Sequence, residues 1–268
     1  MKLRTTLAVV AAFPLLLLTS CGGQAAKVAD SPTSSSTGGS SSGALTQANF
    51  ATTVADASTK AKTAHFSGKF TAQGNTITMT GDVKSGSSLA GVAENITMQT
   101  GSAGTFHLIF VHKVLYMNLG TATQNKYVKI DLNDPNNPLG STFNQVLANL
   151  NPAQSVAAMK SAITGFTTVG HDTIGGTPTT HYKVTLDTKK LFTAMKMGKL
   201  GSMSGSVPST VTYDMWITHD NLPRRLTSDI GGTTVQLDMT HWGKPVSIAA
   251  PPASQVSAKN PFGGSAHG

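Results

Sequence analysis

Polar and apolar residues alternate along most of the chain, and that alternation predicts strands. "HFSGKFTA" (65–72), "NTITMTGDVK" (75–84) and "AENITMQT" (93–100) carry apolar side chains at alternate positions. Ile77, Met79, Gly81 and Val83 share one face of the second segment, and Ile96 and Met98 one face of the third. A period of two is the signature of a half-buried strand. "TFHLIFVHKVLYMNL" (105–119) is more continuously apolar and divides into two strands around a His112-Lys113 turn. "NKYVKIDL" (125–132) completes the set. Gly, Asn and Ser clusters separate these segments, so an antiparallel meander is expected.

Three stretches switch to a period near 3.6. Thr46–Thr63 places Phe50, Val54, Ala57 and Ala61 on one face, with Thr46 as the expected N-cap. After the breaker "DPNNPLG" (134–140), residues 141–163 read as a helical insert. Phe143, Val146, Leu147 and Leu150 form one stripe, and Val156, Met159 and Ile163 another, split at Asn151-Pro152. Proline suits a first helical position, because its missing N–H has no partner there anyway. "TKKLFTAMKMGKL" (188–200) predicts a short basic helix with Leu191 and Met195 inward. Around it the strands resume. Tyr182, Val184 and Leu186 alternate, as do Val211, Tyr213, Met215 and Ile217, and then Val235, Leu237 and Met239. "IGGTP" and "IGGT" read as hairpin turns. No composition break interrupts 45–250, which is expected to be one domain.

The two ends differ from this body. Lys2 and Arg4 precede an apolar run, Leu7–Leu18, that is too short to span a bilayer, which needs roughly 20 residues. Residues 1–20 therefore read as a secretory signal. "LTSC" (18–21) resembles a bacterial lipobox: an aliphatic residue, two small residues, then Cys21. The resemblance implies transfer of a diacylglyceryl group to the Cys21 thiol and cleavage before Cys21, with palmitate-like chains anchoring the chain to the extracytoplasmic face of a bacterial cell membrane. Two acyl chains hold stably where one is marginal, at ~0.8 kcal/mol per buried methylene. Cys21 is the only cysteine, so no disulfide forms within the chain. Residues 21–44 include "TSSSTGGSSSG" and are expected to be a flexible tether, and 251–268 a disordered tail.

Charged residues make up 12% of the chain, against about 25% in an ordinary globular protein. The net charge is +8, but the cations are scattered, with Lys189-Lys190 and Arg224-Arg225 the only adjacent pairs. A nucleic-acid binder concentrates its cations on a stripe or helix, so no nucleic-acid partner is expected. The eight histidines form neither H-x-x-x-H nor H-E-x-x-H, which leaves no metal or cofactor site in view. Glu94 is the only glutamate. His171-Asp172 and His219-Asp220 are sequence neighbours, and neighbours on a strand point to opposite faces. G-x-S-x-G occurs at 39–43, but within low-complexity linker, where no nucleophile elbow forms. No enzymatic activity is expected.

Taken together, the lipobox, tether, strand meander, helical insert and closing strands resemble the LppX/LprAFG-type lipoproteins, within the LolA/LolB-like group of carriers. "YDMWITHDNLPRRL" (213–226) and "HYKVTLDTKK" (181–190) carry the local likeness. The resemblance implies an α+β fold: a strongly curved antiparallel β half-barrel with helices covering the concave face. It also implies an apolar cavity between sheet and helices that holds acyl chains of lipids or glycolipids, for carriage across the envelope or for sensing in it. The residues expected to line it are Ile77, Met79, Ile96, Met98, Met215, Leu237 and Met239 from the sheet. The insert would add Phe143, Val146, Leu147, Leu150, Met159 and Ile163. Lys189, Lys190, Lys196 and Lys199 would meet an anionic headgroup or form a solvated helix face. A monomer is expected. The same stripes also suit an envelope module with a filled core that binds a protein partner; periodicity alone does not separate the two.

Overall fold

In a computed structural model, which describes residues 44–86, 89–134, 152–195 and 208–257, the alternating segments form eleven strands in one antiparallel sheet. β1 (Thr63–Ala72), β2 (Asn75–Lys84), β3 (Ala93–Gln99), β4 (Thr105–Val111), β5 (Val114–Asn118) and β6 (Val128–Asp131) form a first meander. β7 (Ile163–Ile174), β8 (Thr177–Asp187), β9 (Thr210–Ile217), β10 (Pro223–Ile230) and β11 (Thr233–Thr240) form a second. β1 lies beside β11 and joins the two, while β6 and β7 remain at the edges. The sheet is therefore not closed, and it curves into a half-barrel.

Helices α1 (Phe50–Ala61), α2 (Pro152–Ala162) and α3 (Thr188–Ala194) cover one face of that sheet. Phe50 and Val54 of α1, Ala158 and Ala162 of α2 and Leu191 of α3 share one buried cluster with Phe66, Val184, Met215 and Leu237 of the strands. Phe50, Phe166 and Tyr182 pack ring to ring at 5.2 Å between successive centroids. Such tilted pairs contribute about 0.5–1.5 kcal/mol beyond their burial.

Local chemistry explains the boundaries. Phe50 N–H donates to Thr46 O at 2.9 Å, which opens the α1 ladder, and Asn49 Oδ1 reaches back to accept from Thr46 N–H at 2.7 Å. The N-cap position is thus Asn49, which makes no side-chain capping bond to the helix, and not Thr46 as expected. Asp187 caps α3 by accepting from Lys190 N–H at 2.9 Å. Ile163, expected on the helical insert, is instead the first residue of β7, opposite Leu186. The helix ends one residue earlier because Ile163 completes the β7–β8 ladder. Both Gly-Gly hairpins carry positive φ at both central residues, 55° and 78° at Gly175 and Gly176, and 59° and 81° at Gly231 and Gly232. This is the primed turn that matches strand twist.

Two strand glycines mark close approaches rather than turns. Phe66 pairs across the ladder with Gly81, and a Cβ on Gly81 would stand 2.7 Å from the Phe66 ring. A Cβ on Gly68 would stand 2.7 Å from Met79 Cγ. Large side chains lie over the missing ones, which lets the sheet bend around its own core.

Residues after β11 return across the opposite face. Tyr127 N–H donates to Gln255 O at 2.8 Å, and Ser257 N–H donates to Tyr127 O at 2.7 Å. Ile248 packs on Ala93, Ile109 and Val111. Of the segment expected as a tail, 251–257 are tied to Tyr127 in this way, and 258–268 lie outside the described residues.

Gly81→Val should destabilise the fold by about 1–3 kcal/mol, the usual cost of overpacking. Gly170→Ala should stay within about 0.5 kcal/mol, because nothing lies within 4 Å of its Cβ position. Urea unfolding midpoints distinguish the two. Equal midpoints would show that neither the Asn95 carbonyl oxygen nor the Phe66 ring crowds Gly81.

Candidate functional site

The face that receives the helices is continuous across the sheet but is not uniformly covered. On β8–β11 its residues are fully buried: Tyr182, Val184, Leu186, Val211, Tyr213, Met215, Ile217, Leu226, Val235, Leu237 and Met239. The register carries the same face from β2 into β3, β4 and β5. One row runs Met79, Met98, Phe106, and the next runs Gly81, Ile96, Leu108, Met117. A third runs Val83, Glu94, Phe110, Leu115. Met98, Phe106, Ile96, Leu108, Met117, Phe110 and Leu115 are all only half-buried. Among the described residues this is a half-covered apolar strip, lying between the packed core and the buried Val128 and Ile130 of β6 in the same rows.

The residues expected to line a cavity divide along the same line. Met79, Ile163, Met215, Leu237 and Met239 are buried within the packed cluster. Ile77, Ile96, Met98 and Met159 are half-buried against its edge. Phe143, Val146, Leu147 and Leu150 lie outside the described residues, as do Cys21, Lys196 and Lys199. The periodicity missed Phe106, Leu108, Phe110, Leu115 and Met117. Ile109, Val111 and Tyr116 on the other face are also covered, by Ile248 and Tyr127. Where both faces are apolar, alternation disappears.

Glu94 stands within this strip. Its partners across the ladder are Val83 and Phe110, and it is 7% exposed. Its Oε1 is buried and has no hydrogen-bond partner among the described residues. Burial pushes the carboxyl up to about 7. An alternating strand with one carboxylate reads as a solvated position, and the only signal for Glu94 in the sequence was its singularity.

On β7–β11 the opposite face is polar and well paired. Arg225 holds Asp238 in a two-pronged ion pair, at 2.5 Å from Nε and 3.0 Å from Nη2, and Gln236 donates to the same carboxylate at 2.9 Å. Burial pushes Asp238 up, but the Arg225 and Gln236 hydrogen bonds more than offset it, so it titrates below the usual range. The His181 ring stacks on Trp216 at 4.3 Å, with Nε2 2.8 Å from Asp214 Oδ1. Asp172 Oδ2 accepts from Trp216 Nε1 at 2.8 Å. His171 meets Thr180 rather than its neighbour Asp172. His219 and Asp220 do meet, at 3.1 Å, because they lie in a turn and not on a strand, and both are well exposed. Among the described residues, no three of His, Cys, Asp or Glu gather as metal ligands. Within "NLPRR", Trp242 Nε1 donates to Pro223 O at 2.9 Å and Arg224 Nη1 to Met239 O at 3.1 Å. That motif ties the ends of β9, β10 and β11 together.

The family model of the LppX/LprAFG lipoproteins matches residues 47–248. The chain belongs to that family. Its fold is that of the lipoprotein LppX from Mycobacterium tuberculosis, at a TM-score of 0.53 and 16% identity, covering 76% of this chain and 98% of that one. LprF from Mycobacterium bovis aligns at 0.48 and 16% identity over 76% and 97%. No curated protein matches in sequence. Membership assigns the LppX/LprAFG chain a lipid-binding role in general, in an exported, membrane-associated lipoprotein. No helix among the described residues is long and apolar enough to cross a membrane.

The Glu94 carboxyl has a consequence for stability. Raised from about 4.3 in the unfolded chain to about 7, it keeps in the native state a proton that the unfolded state releases. Stability therefore falls as pH rises through that window and levels off above it, by roughly 4 kcal/mol in all. Glu94→Gln should remove this component of the fall. Urea unfolding at about pH 5 and about pH 8 measures it. Equal pH dependence in wild type and variant would show that Glu94 is not desolvated.

Proposed function

We propose that this lipoprotein is a membrane-tethered carrier or sensor of lipids. It holds acyl chains in an apolar cavity against the inner face of β3–β5. The observation that carries the reading is the half-buried strip from Ile96 to Met117, apolar except for Glu94 and continuous with a packed core. Seven half-buried apolar side chains on one face are a poor use of a sheet unless something else covers them. In this reading residues 1–20 are removed, Cys21 carries the acyl anchor, and 21–44 form a tether that reaches on the order of 25 Å. The body is one domain over 45–250 and works as a monomer without catalysis.

Desolvation drives binding, at about 25 cal/mol per Å² of apolar area. A chain leaving water gains ~0.8 kcal/mol per methylene, but a chain leaving a bilayer gains almost nothing. Loading from one membrane and release to another are then both accessible, as carriage requires. Methionine suits such a surface because it is unbranched and adapts to irregular shapes.

Met98→Trp and Leu108→Trp should cut uptake of a pyrene-labelled fatty acid at least about tenfold, equivalent to about 1.4 kcal/mol, while leaving the thermal midpoint close to wild type. Val169→Trp, at an exposed position, should leave uptake intact. Uptake that survives both inner-face substitutions would contradict the reading.

A further inference from the structure

The chain contains one glutamate, and the fold places it among apolar side chains. Along the inner face its neighbours are Val83, Ile96 and Phe110. The charged groups of the adjacent strands turn the other way: Asp82 and Lys84 on β2 and His107 on β4 lie in the outer-face rows with Asn95, Ala93 and Thr97. His112 and Lys113 form the β4–β5 turn, and Lys60 and Lys62 close α1. A buried oxygen with no partner costs about 1–3 kcal/mol, and a leucine of similar reach would cost nothing. Buried polar atoms of this kind are rare in native proteins and call for an occupant that satisfies them.

We propose that Glu94 is the polar anchor of the lipid site: its carboxyl hydrogen-bonds the ester or hydroxyl neck of an uncharged diacyl lipid whose tails lie along Ile96, Met98 and Leu108. The assignment rests on the carrier reading above and names the ligand class that reading leaves open. A protonated carboxyl offers one O–H donor and one carbonyl acceptor. The neck of a diacylglycerol offers ester carbonyls to accept a hydrogen bond from that O–H and a hydroxyl to donate one to the carboxyl oxygen. A phosphate at the same place would set an anion against a carboxyl with no cation in its inner-face row, which disfavours both. Burial supports the acid form, since it holds the group protonated up to about pH 7.

The test uses the full chain with phosphatidylcholine vesicles carrying either pyrene-labelled diacylglycerol or a pyrene-labelled alkane of matched length. Uptake is read as loss of excimer emission. Wild type should take up both probes. Glu94→Leu should weaken diacylglycerol uptake about tenfold, as expected for about 1.4 kcal/mol, and leave alkane uptake unchanged. Glu94→Gln, which keeps a donor and an acceptor, should retain most diacylglycerol uptake. The thermal midpoint of each variant checks folding. Undiminished diacylglycerol uptake by Glu94→Leu, or equal loss of both probes, overturns the anchor while the carrier reading stands. Failure of wild type to take up either probe overturns the carrier reading, and the anchor falls with it.

Discussion

β1 pairs on one side with its sequence neighbour β2 and on the other with the final strand, β11. Everything else depends on that second pairing. It runs from His65 opposite Thr240 to Ala72 opposite Thr233 and sets Phe66 against Met239, Gly68 against Leu237 and Phe70 against Val235. Two meanders that could each fold locally thereby become one sheet with a single inner face. A one-residue slip would turn Phe66 and Phe70 outward and bring Lys69 and Ser67 into the core, so the register is strongly specified. The pairing joins residues far apart in sequence, and its closure entropy must be met before its contacts form. It is the step expected to limit folding.

The two meanders then play different parts. The second gives its inner face to α1, α2 and α3 and packs into a core in which Phe50 and Tyr182 are buried and the half-buried Phe166 packs against both. The first offers the same kind of surface on β3, β4 and β5, yet its side chains remain half-covered. Its outer face is sealed by the returning C-terminal segment, which allows the inner face to stay accessible without leaving the strands unsupported. On the proposed carrier function that asymmetry has a use: one half would hold the shape, and the other would exchange the lipid that covers it.

Much of this fold was legible in the sequence, because most strands bury one face and expose the other. Val211, Tyr213, Met215 and Ile217 alternate in the sequence and are buried together in the structure. The helix at 188 and the Gly-Gly hairpins were equally plain, each resting on a local rule. Three features were not legible. Ile163 suits either period, and only its pairing with Leu186 assigns it to β7. The inner residues of β4 and β5 were hidden because their outer neighbours are apolar too. Nothing marked Glu94 as buried, since nothing local tells a strand which of its faces a distant segment will cover.

The account's central claim is that lipid meets the inner face of β3–β5. Photocrosslinking tests it most directly: the full chain is loaded with a diazirine-bearing fatty acid, irradiated and digested, and the labelled peptides are sequenced. The account predicts label on the peptides that contain Ile96, Met98, Leu108 and Met117. Label confined to outer-face positions such as Trp216 and Arg225, or none above that of an unloaded control, would contradict it.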